Sequence, residues 1–145
     1  MLSKTSFDCS NVGANPVTLT VTDVNGNVST ATATVTVQDN TAPTAVAQDV
    51  TVTLDANGQA SVSEAQVNNG SSDNCGVASV VLDKTTFDCS NIGANTVALT
   101  VTDVNGNVST ATATVTVQDN TAPTAVAQDV TVVLGANGQA SVTAA

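Results

Sequence analysis

A letter-for-letter internal repeat constrains this chain more than any other feature. Residues 19–52 and residues 99–132 are identical and lie 80 positions apart, and with that offset most of residues 1–65 also match residues 81–145. Such self-similarity is the signature of a repeat protein, so we interpret the chain as a window on a linear tandem array. The predicted parts are the C-terminal half of a preceding repeat, a complete repeat and the N-terminal strands of a following repeat, at residues 1–40, 41–120 and 121–145.

The repeated stretch has the pattern of two β-strands joined by a hairpin turn. Residues 30–37 read TATATVTV, a strict period of two that puts alanine and valine on one face and threonine on the other. Residues 17–22 alternate in the same way, and the sequence DVNGN at residues 23–27 separates the two runs. Asn-Gly between alternating runs is a strong hairpin signal, because both residues tolerate the positive φ of a tight turn. We therefore predict an antiparallel hairpin in each copy.

Composition favours an all-β fold with a thin core. Valine, threonine and alanine number 26, 25 and 21, while the chain has one Glu, two Lys, one Met and no Arg, so it lacks the material for long helices. Six or seven short strands separated by Gly, Asn and Pro predict an antiparallel β-sandwich with Greek-key connections. That topology places the turn at residues 103–107 beside the N-terminal joint of the complete repeat. Further strands are predicted over residues 46–54, 59–63, 77–82, 85–89 and 96–102, with one helical turn near residues 64–67.

Charge and composition also exclude several functions. The formal net charge is −10, which repels nucleic acid and anionic lipid, so neither nucleic-acid binding nor membrane insertion is expected. No run approaches the roughly 20 apolar residues that a membrane-spanning helix needs. With no His and no Arg, an acid–base or nucleophilic site would have to be built from Asp, Ser and Thr alone. We predict that the protein is not an enzyme.

The complete repeat contains two cysteines, Cys75 and Cys89, which lie 14 positions apart. A bridge between them would add about 3 kcal/mol to the stability of a thin core by loop-closure arithmetic, and we predict this disulfide. If it forms, the protein works outside the cell. Two free thiols in a reducing compartment are the alternative, and a zinc site is disfavoured because His is absent. Cys9 corresponds to Cys89 in the preceding copy and is expected to be unpaired.

Several oxygen-bearing side chains are predicted to converge where one repeat meets the next. Calcium prefers six to eight oxygen ligands, and three carboxylates without a basic neighbour favour such an ion. Ordinary turn chemistry, in which these side chains bond their own backbone, is the alternative. The spacing is not that of an EF-hand, because position twelve counted from Asp103 is Thr114. The candidate calcium ligands are Asp39, Asn40, Asp73, Asp103, Asn105 and Asn107.

Four short motifs, taken in order, resemble one known family. They are DNCG at residues 73–76, NIGANTV at residues 91–97, VTDVNGN at residues 101–107 and VTVQD at residues 115–119. Together they are similar to the hyalin-repeat (HYR-like) pattern of immunoglobulin-like modules, including the near-identical tandem repeats of large adhesins from gliding and biofilm-forming bacteria. The resemblance implies an extracellular, cell-surface β-sandwich used in adhesion.

Two kinds of function remain. The first is a stiff spacer in the stalk or fibre of a surface adhesin, whose partners are the neighbouring repeats of the same chain. The second is an immunoglobulin-like module that binds a surface polysaccharide or a protein, although the chain has no Trp or Tyr with which to grip one. Because residues 1–38 lack opening strands and residues 121–145 supply such strands, we also predict head-to-tail association between copies.

Overall fold

The computed structural model describes residues 1–143 and shows an all-β chain. The predicted helical turn is confirmed as α1, Glu64–Val67, and two 3-10 turns occupy Cys9–Asn11 and Cys89–Asn91. Within the described residues, no helix is long and apolar enough to cross a membrane. The strands are β1 (Gly13–Thr22), β2 (Val28–Val37), β3 (Val50–Thr53), β4 (Gln59–Ser61), β5 (Val77–Leu82), β6 (Thr86–Asp88), β7 (Gly93–Asp103) and β8 (Val108–Gln118).

The two copies of the repeated stretch form the two predicted hairpins, β1–β2 and β7–β8. Both are antiparallel and share one register, with Val17 opposite Ala33 in the first and Val97 opposite Ala113 in the second. The turn differs from the expectation in one respect. Of the two central residues of the turn, only Gly106 has positive φ, at 94°, whereas Asn105 does not; in the described chain positive φ occurs only at glycines. Because four residues rather than two separate β7 from β8, Asn105 does not need positive φ, and its side chain is available for contacts outside the turn.

One four-stranded sheet has the order β3-β8-β7-β5, and β4 pairs with β6 in a second, two-stranded sheet. The prediction of a wholly antiparallel arrangement is wrong for β3, which lies parallel to β8 with Val50 opposite Val115. The reason is where the two strands begin. The chain enters β3 from the joint at the same end of the repeat where the β7–β8 turn lies, so both strands run away from that end.

The core is one cluster of small aliphatic side chains with one aromatic ring, drawn from both of these sheets and from the segments beside them. The β7–β8 hairpin buries Val97, Leu99 and Val115 completely. Phe87 of β6 is 3% exposed and belongs to the same cluster as these valines. Other members are Leu54, Val62, Val67, Leu82, Val101, Ala113 and Val117. A core this thin leaves little margin, which makes links outside it important for stability.

The first hairpin and the C-terminal segment are less buried than the corresponding parts of residues 41–120. Leu19 is 42% exposed and Val21 is 56% exposed, although their counterparts Leu99 and Val101 are 0% exposed. Residues 121–143 form no strand, so the opening strands predicted for residues 121–145 are not observed, and residues 144–145 lie outside the described residues. In the complete repeat the same segment gains its strands only by pairing with β8 and β6.

Candidate functional site

The candidate site is the joint, which we define as residues 39–43 together with the loop at residues 73–76 and the β7–β8 turn at residues 103–107. The prediction that this turn lies beside the joint is confirmed. Asn105 Nδ2 donates to Asp39 Oδ2 over 2.9 Å, and Asn107 Nδ2 donates to the Asp39 carbonyl over 3.2 Å. Side chains of the turn therefore hold the end of the preceding strand segment.

Asp103 closes the turn from inside and is 2% exposed. Its Oδ1 accepts the backbone N–H groups of Asn105 and Asn107, each over 2.8 Å, and its Oδ2 accepts Asn107 Nδ2 over 2.7 Å. Burial raises the pKa of this carboxyl, but the hydrogen bonds from Asn107 and Asn105 outweigh it, so the net pKa lies below the usual value. Asp23 makes the same bonds in the first hairpin, so this geometry belongs to the local sequence.

Asp73 begins the loop that faces the turn. Its Oδ2 accepts the N–H groups of Cys75 and Gly76 over 2.7 and 3.1 Å, and the Gly76 carbonyl accepts the N–H of Val104 over 3.1 Å. The other carboxylate oxygen, Oδ1, is buried without a hydrogen-bond partner. A buried, unpaired carboxylate oxygen is costly unless something positive satisfies it.

Asp39, Asp73 and Asp103 bring three carboxylates together from three separate segments. One oxygen from each lies within 4.8 Å of the others. Calcium–oxygen distances are about 2.3–2.6 Å, so two ligands on opposite sides of an ion are about 4.8 Å apart. The three oxygens therefore fit within the coordination shell of one calcium ion, and the Asp39 carbonyl lies close by.

The remaining predicted ligands are placed as follows. Asn105 and Asn107 adjoin the carboxylates but direct their amide N–H groups at Asp39. Turning either amide over would present its oxygen instead. Asn40 is exposed and lines a neighbouring cleft of about 270 Å³ together with Cys9 and Cys75.

The cysteine pairing corrects the sequence-based prediction. Cys75 is bonded to Cys9, with 5.3 Å between their Cα atoms, and Cys89 is free and exposed. The predicted Cys75–Cys89 bridge is wrong, because the two residues flank opposite ends of β7. Gly76 contacts Val104 just beyond the C-terminal end, whereas Cys89 precedes the N-terminal end. Eleven residues of strand separate them by about 36 Å.

Cys9 reaches Cys75 because the joint brings the end of the first hairpin module to the loop at residues 73–76. The disulfide therefore crosses the joint, linking positions 66 residues apart. The Cys89 thiol lies instead beside the turn between β3 and β4, 3.8 Å from the Gly58 carbonyl. The repeat itself carried a signal for this pairing that the prediction did not use. Cys9 and Cys89 occupy equivalent positions, so two cysteines per repeat are explained equally well by a bond between neighbouring repeats and by a bond within one repeat.

Comparison with known proteins leaves the family open, since neither a family model nor a curated protein sequence matches this chain.

Proposed function

We propose that this chain is a stretch of the stalk of an extracellular cell-surface adhesin, built from HYR-like, immunoglobulin-like sandwich repeats in a linear tandem array. Its role is that of a stiff spacer. The observation that carries the proposal is the disulfide between Cys9 and Cys75, which crosses the joint between the two copies.

A joint with two covalent connections bends less than one with a single connection. The main chain passes through residues 39–43, where Pro43 is buried and fixes φ. The Cys9–Cys75 bond provides the second connection, and the hydrogen bonds from Asn105 and Asn107 to Asp39 add polar contacts between them. A spacer needs this property at every joint, which near-identical repeats supply.

An equivalent bond would form at every joint of the proposed array. Cys89 stands where Cys9 stands in the preceding copy, on the same 3-10 turn with the same aspartate cap. In a longer array, Cys89 would bond the DNCG loop of the next repeat, and every repeat would be linked covalently to its successor. Disulfides persist in oxidising surroundings, which supports an extracellular location, and a net charge of −10 favours an extended, soluble surface.

Calcium at the joint would strengthen this role. The carboxylates of Asp39, Asp73 and Asp103 come from both sides of the joint, so an ion held by all three ties the sides together. The unpaired Asp73 Oδ1 supports this assignment, since an ion would satisfy it. The joint would then be stiffest in calcium and under oxidising conditions.

Small-angle X-ray scattering of the dilute chain tests the spacer role. We expect the oxidised protein to scatter as one rigid particle, and a Cys9→Ser/Cys75→Ser variant to show the broad distance distribution of two bodies on a flexible link. Cys89→Ser is the matched control and should leave the scattering unchanged. Identical profiles for all three proteins would contradict a joint stiffened by the disulfide.

A glycan-array and cell-adhesion assay on the same chain distinguishes the spacer from the binding module. An open cleft of about 440 Å³ lies along β4 and β6 and is lined by Asp55, Ser61, Thr86 and the buried Phe87, among others. It exposes no aromatic platform of the kind that usually grips a sugar ring. We expect no binding, and clear retention of one glycan class would favour the binding module.

A further inference from the structure

The β1–β2 hairpin has an apolar face that its near-identical counterpart, β7–β8, buries. Leu19, Val21 and Val35 are 42%, 56% and 36% exposed, whereas Leu99, Val101 and Val115 are 0% exposed. Phe7 is likewise half-buried where Phe87 is 3% exposed. The hairpins share one register, and their strands differ only where Pro16 and Thr18 replace Thr96 and Ala98, so the difference in exposure lies in what covers them.

In the complete repeat, much of the cover comes from residues 41–63. β3 lies along the outer edge of β8, the Leu54 N–H donates to the Gln118 carbonyl over 2.8 Å, and Asp49 Oδ1 accepts the Thr114 N–H over 2.7 Å. β4 pairs with β6 and sets Ala60 opposite Phe87. The apolar side chains that this segment adds to the core or packs against it are Ala45, Ala47, Val50, Val52, Leu54, Ala60 and Val62.

Residues 121–143 carry the same apolar side chains in the same order, and they have no cover of their own. Val130, Leu134 and Val142 are 58%, 64% and 66% exposed. The free edge of β2 matches this segment, since β2 pairs only with β1 among the described strands. With the offset of 80, Val130 belongs opposite Val35 in a parallel pairing.

We propose that residues 121–143 of one copy of this chain cover the β1–β2 hairpin of a second copy. The donated segment adds a strand parallel to β2 at Val35 and a second strand antiparallel to the residues around Phe7. Main-chain hydrogen bonds and burial of apolar side chains drive the association. In a longer array the opening residues of the preceding repeat fill this place.

The donor comes from a second copy because its own hairpin is out of reach. β8 starts at the turn that contacts Asp39 and runs away from the joint for 11 residues, about 36 Å. Val130 would have to return that distance and pass a further ~13 Å beyond the joint to reach Val35. The twelve residues after Gln118 span at most about 43 Å. The contact is therefore heterologous and continues from copy to copy in a chain or ring.

The β1–β2 hairpin already has part of the cover that β5 gives to the β7–β8 hairpin. Leu2 forms a bridge with Leu19, as Leu82 of β5 does with Leu99. Residues 121–143 contain no counterparts of residues 66–80. The unit formed by this segment and the β1–β2 hairpin of the second copy therefore lacks α1 and most of β5. The association is therefore expected to be reversible and to depend on concentration.

Sedimentation equilibrium of the full chain, in a Cys89→Ser background that prevents intermolecular disulfides, tests the proposal. We expect the average mass to rise with concentration above the 14.3 kDa of the monomer. Leu134→Asp/Val142→Asp should weaken the association at least tenfold, because the counterparts Leu54 and Val62 are only 5% and 4% exposed. These residues are exposed in the single chain, so its own fold should persist by circular dichroism.

The matched control is Thr131→Asp/Ser141→Asp, which adds the same charge at positions whose counterparts, Thr51 and Ser61, point away from the core and are exposed. It should associate like the parent chain. A monomeric parent at every concentration would overturn the proposal. So would equal association by both variants, which would indicate another surface such as hairpin against hairpin, or equal loss in both, which would indicate simple charge repulsion.

Discussion

Removing the disulfide across the joint should cost much of the stability of this chain. The bond closes a loop between positions 66 residues apart. In the chain-entropy treatment, a loop of that length raises the free energy of unfolding by roughly 4 kcal/mol, against about 3 kcal/mol for a 15-residue loop. The Cys9→Ser/Cys75→Ser variant should therefore lose roughly 4 kcal/mol and melt about 10–15 °C lower.

Thermal melting and urea unfolding, followed by circular dichroism, measure this loss. The Cys89→Ser variant should match the parent, because Cys89 is exposed and free. The reduced parent should match the double variant, which separates the bond from the effect of the serines. A loss below about 1 kcal/mol, or an equal loss in Cys89→Ser, would refute the reasoning.

Three further predictions concern the joint, the core and acid stability. If the joint binds calcium, calcium should raise the melting temperature of the parent and of Asp23→Asn, but not of Asp73→Asn; an equal rise in all three would place the ion elsewhere. Leu99→Ala should cost about 2–5 kcal/mol of unfolding free energy in urea and Leu19→Ala well under half of that, because Leu99 is 0% and Leu19 is 42% exposed; similar losses would show that the two hairpins are equally covered. Backbone hydrogen bonds from Gln59 and Asn57 hold the pKa of Asp55 below its usual value, so its contribution is present above about pH 4 and is lost as pH falls through the lower folded-state pKa. Asp55→Asn should therefore lose less stability than the parent between pH 5 and pH 2 in acid titrations, and an unchanged pH dependence would contradict this.

Local features of the fold follow from the sequence because neighbouring residues decide them. The period of two in residues 30–37 and the DVNGN turn predict the hairpins, and short-range hydrogen bonds of Asp103 fix the same geometry as those of Asp23. The helical turn at Glu64–Val67 also follows its local sequence, with the Gln66 side chain accepting the Ser63 N–H over 2.9 Å. The position of the β7–β8 turn beside the joint follows from chain direction alone.

Features set by distant contacts were not predictable in the same way. The pairing of Cys75 depends on which end of β7 each cysteine flanks. The sequence distance of 14 misleads because β5, which pairs with β7 from Asp103 to Leu99, and β6 after it carry the chain away from Cys75 before Cys89 is reached. The parallel pairing of β3 depends on the path of the chain from the joint. In the predicted metal site, the carboxylates converge as expected, but the amide hydrogen bonds of Asn105 depend on a turn in which only Gly106 has positive φ.

Disulfide mapping tests most directly the claim that neighbouring repeats are linked covalently. The protein would be exported to an oxidising compartment, alkylated without reduction, digested and analysed by mass spectrometry. The structure predicts one cross-linked peptide pair containing Cys9 and Cys75, with Cys89 recovered as an alkylated thiol. Recovery of a Cys75–Cys89 pair with Cys9 alkylated would contradict the account, because the bond would then lie within one repeat and leave the joint without its second covalent connection.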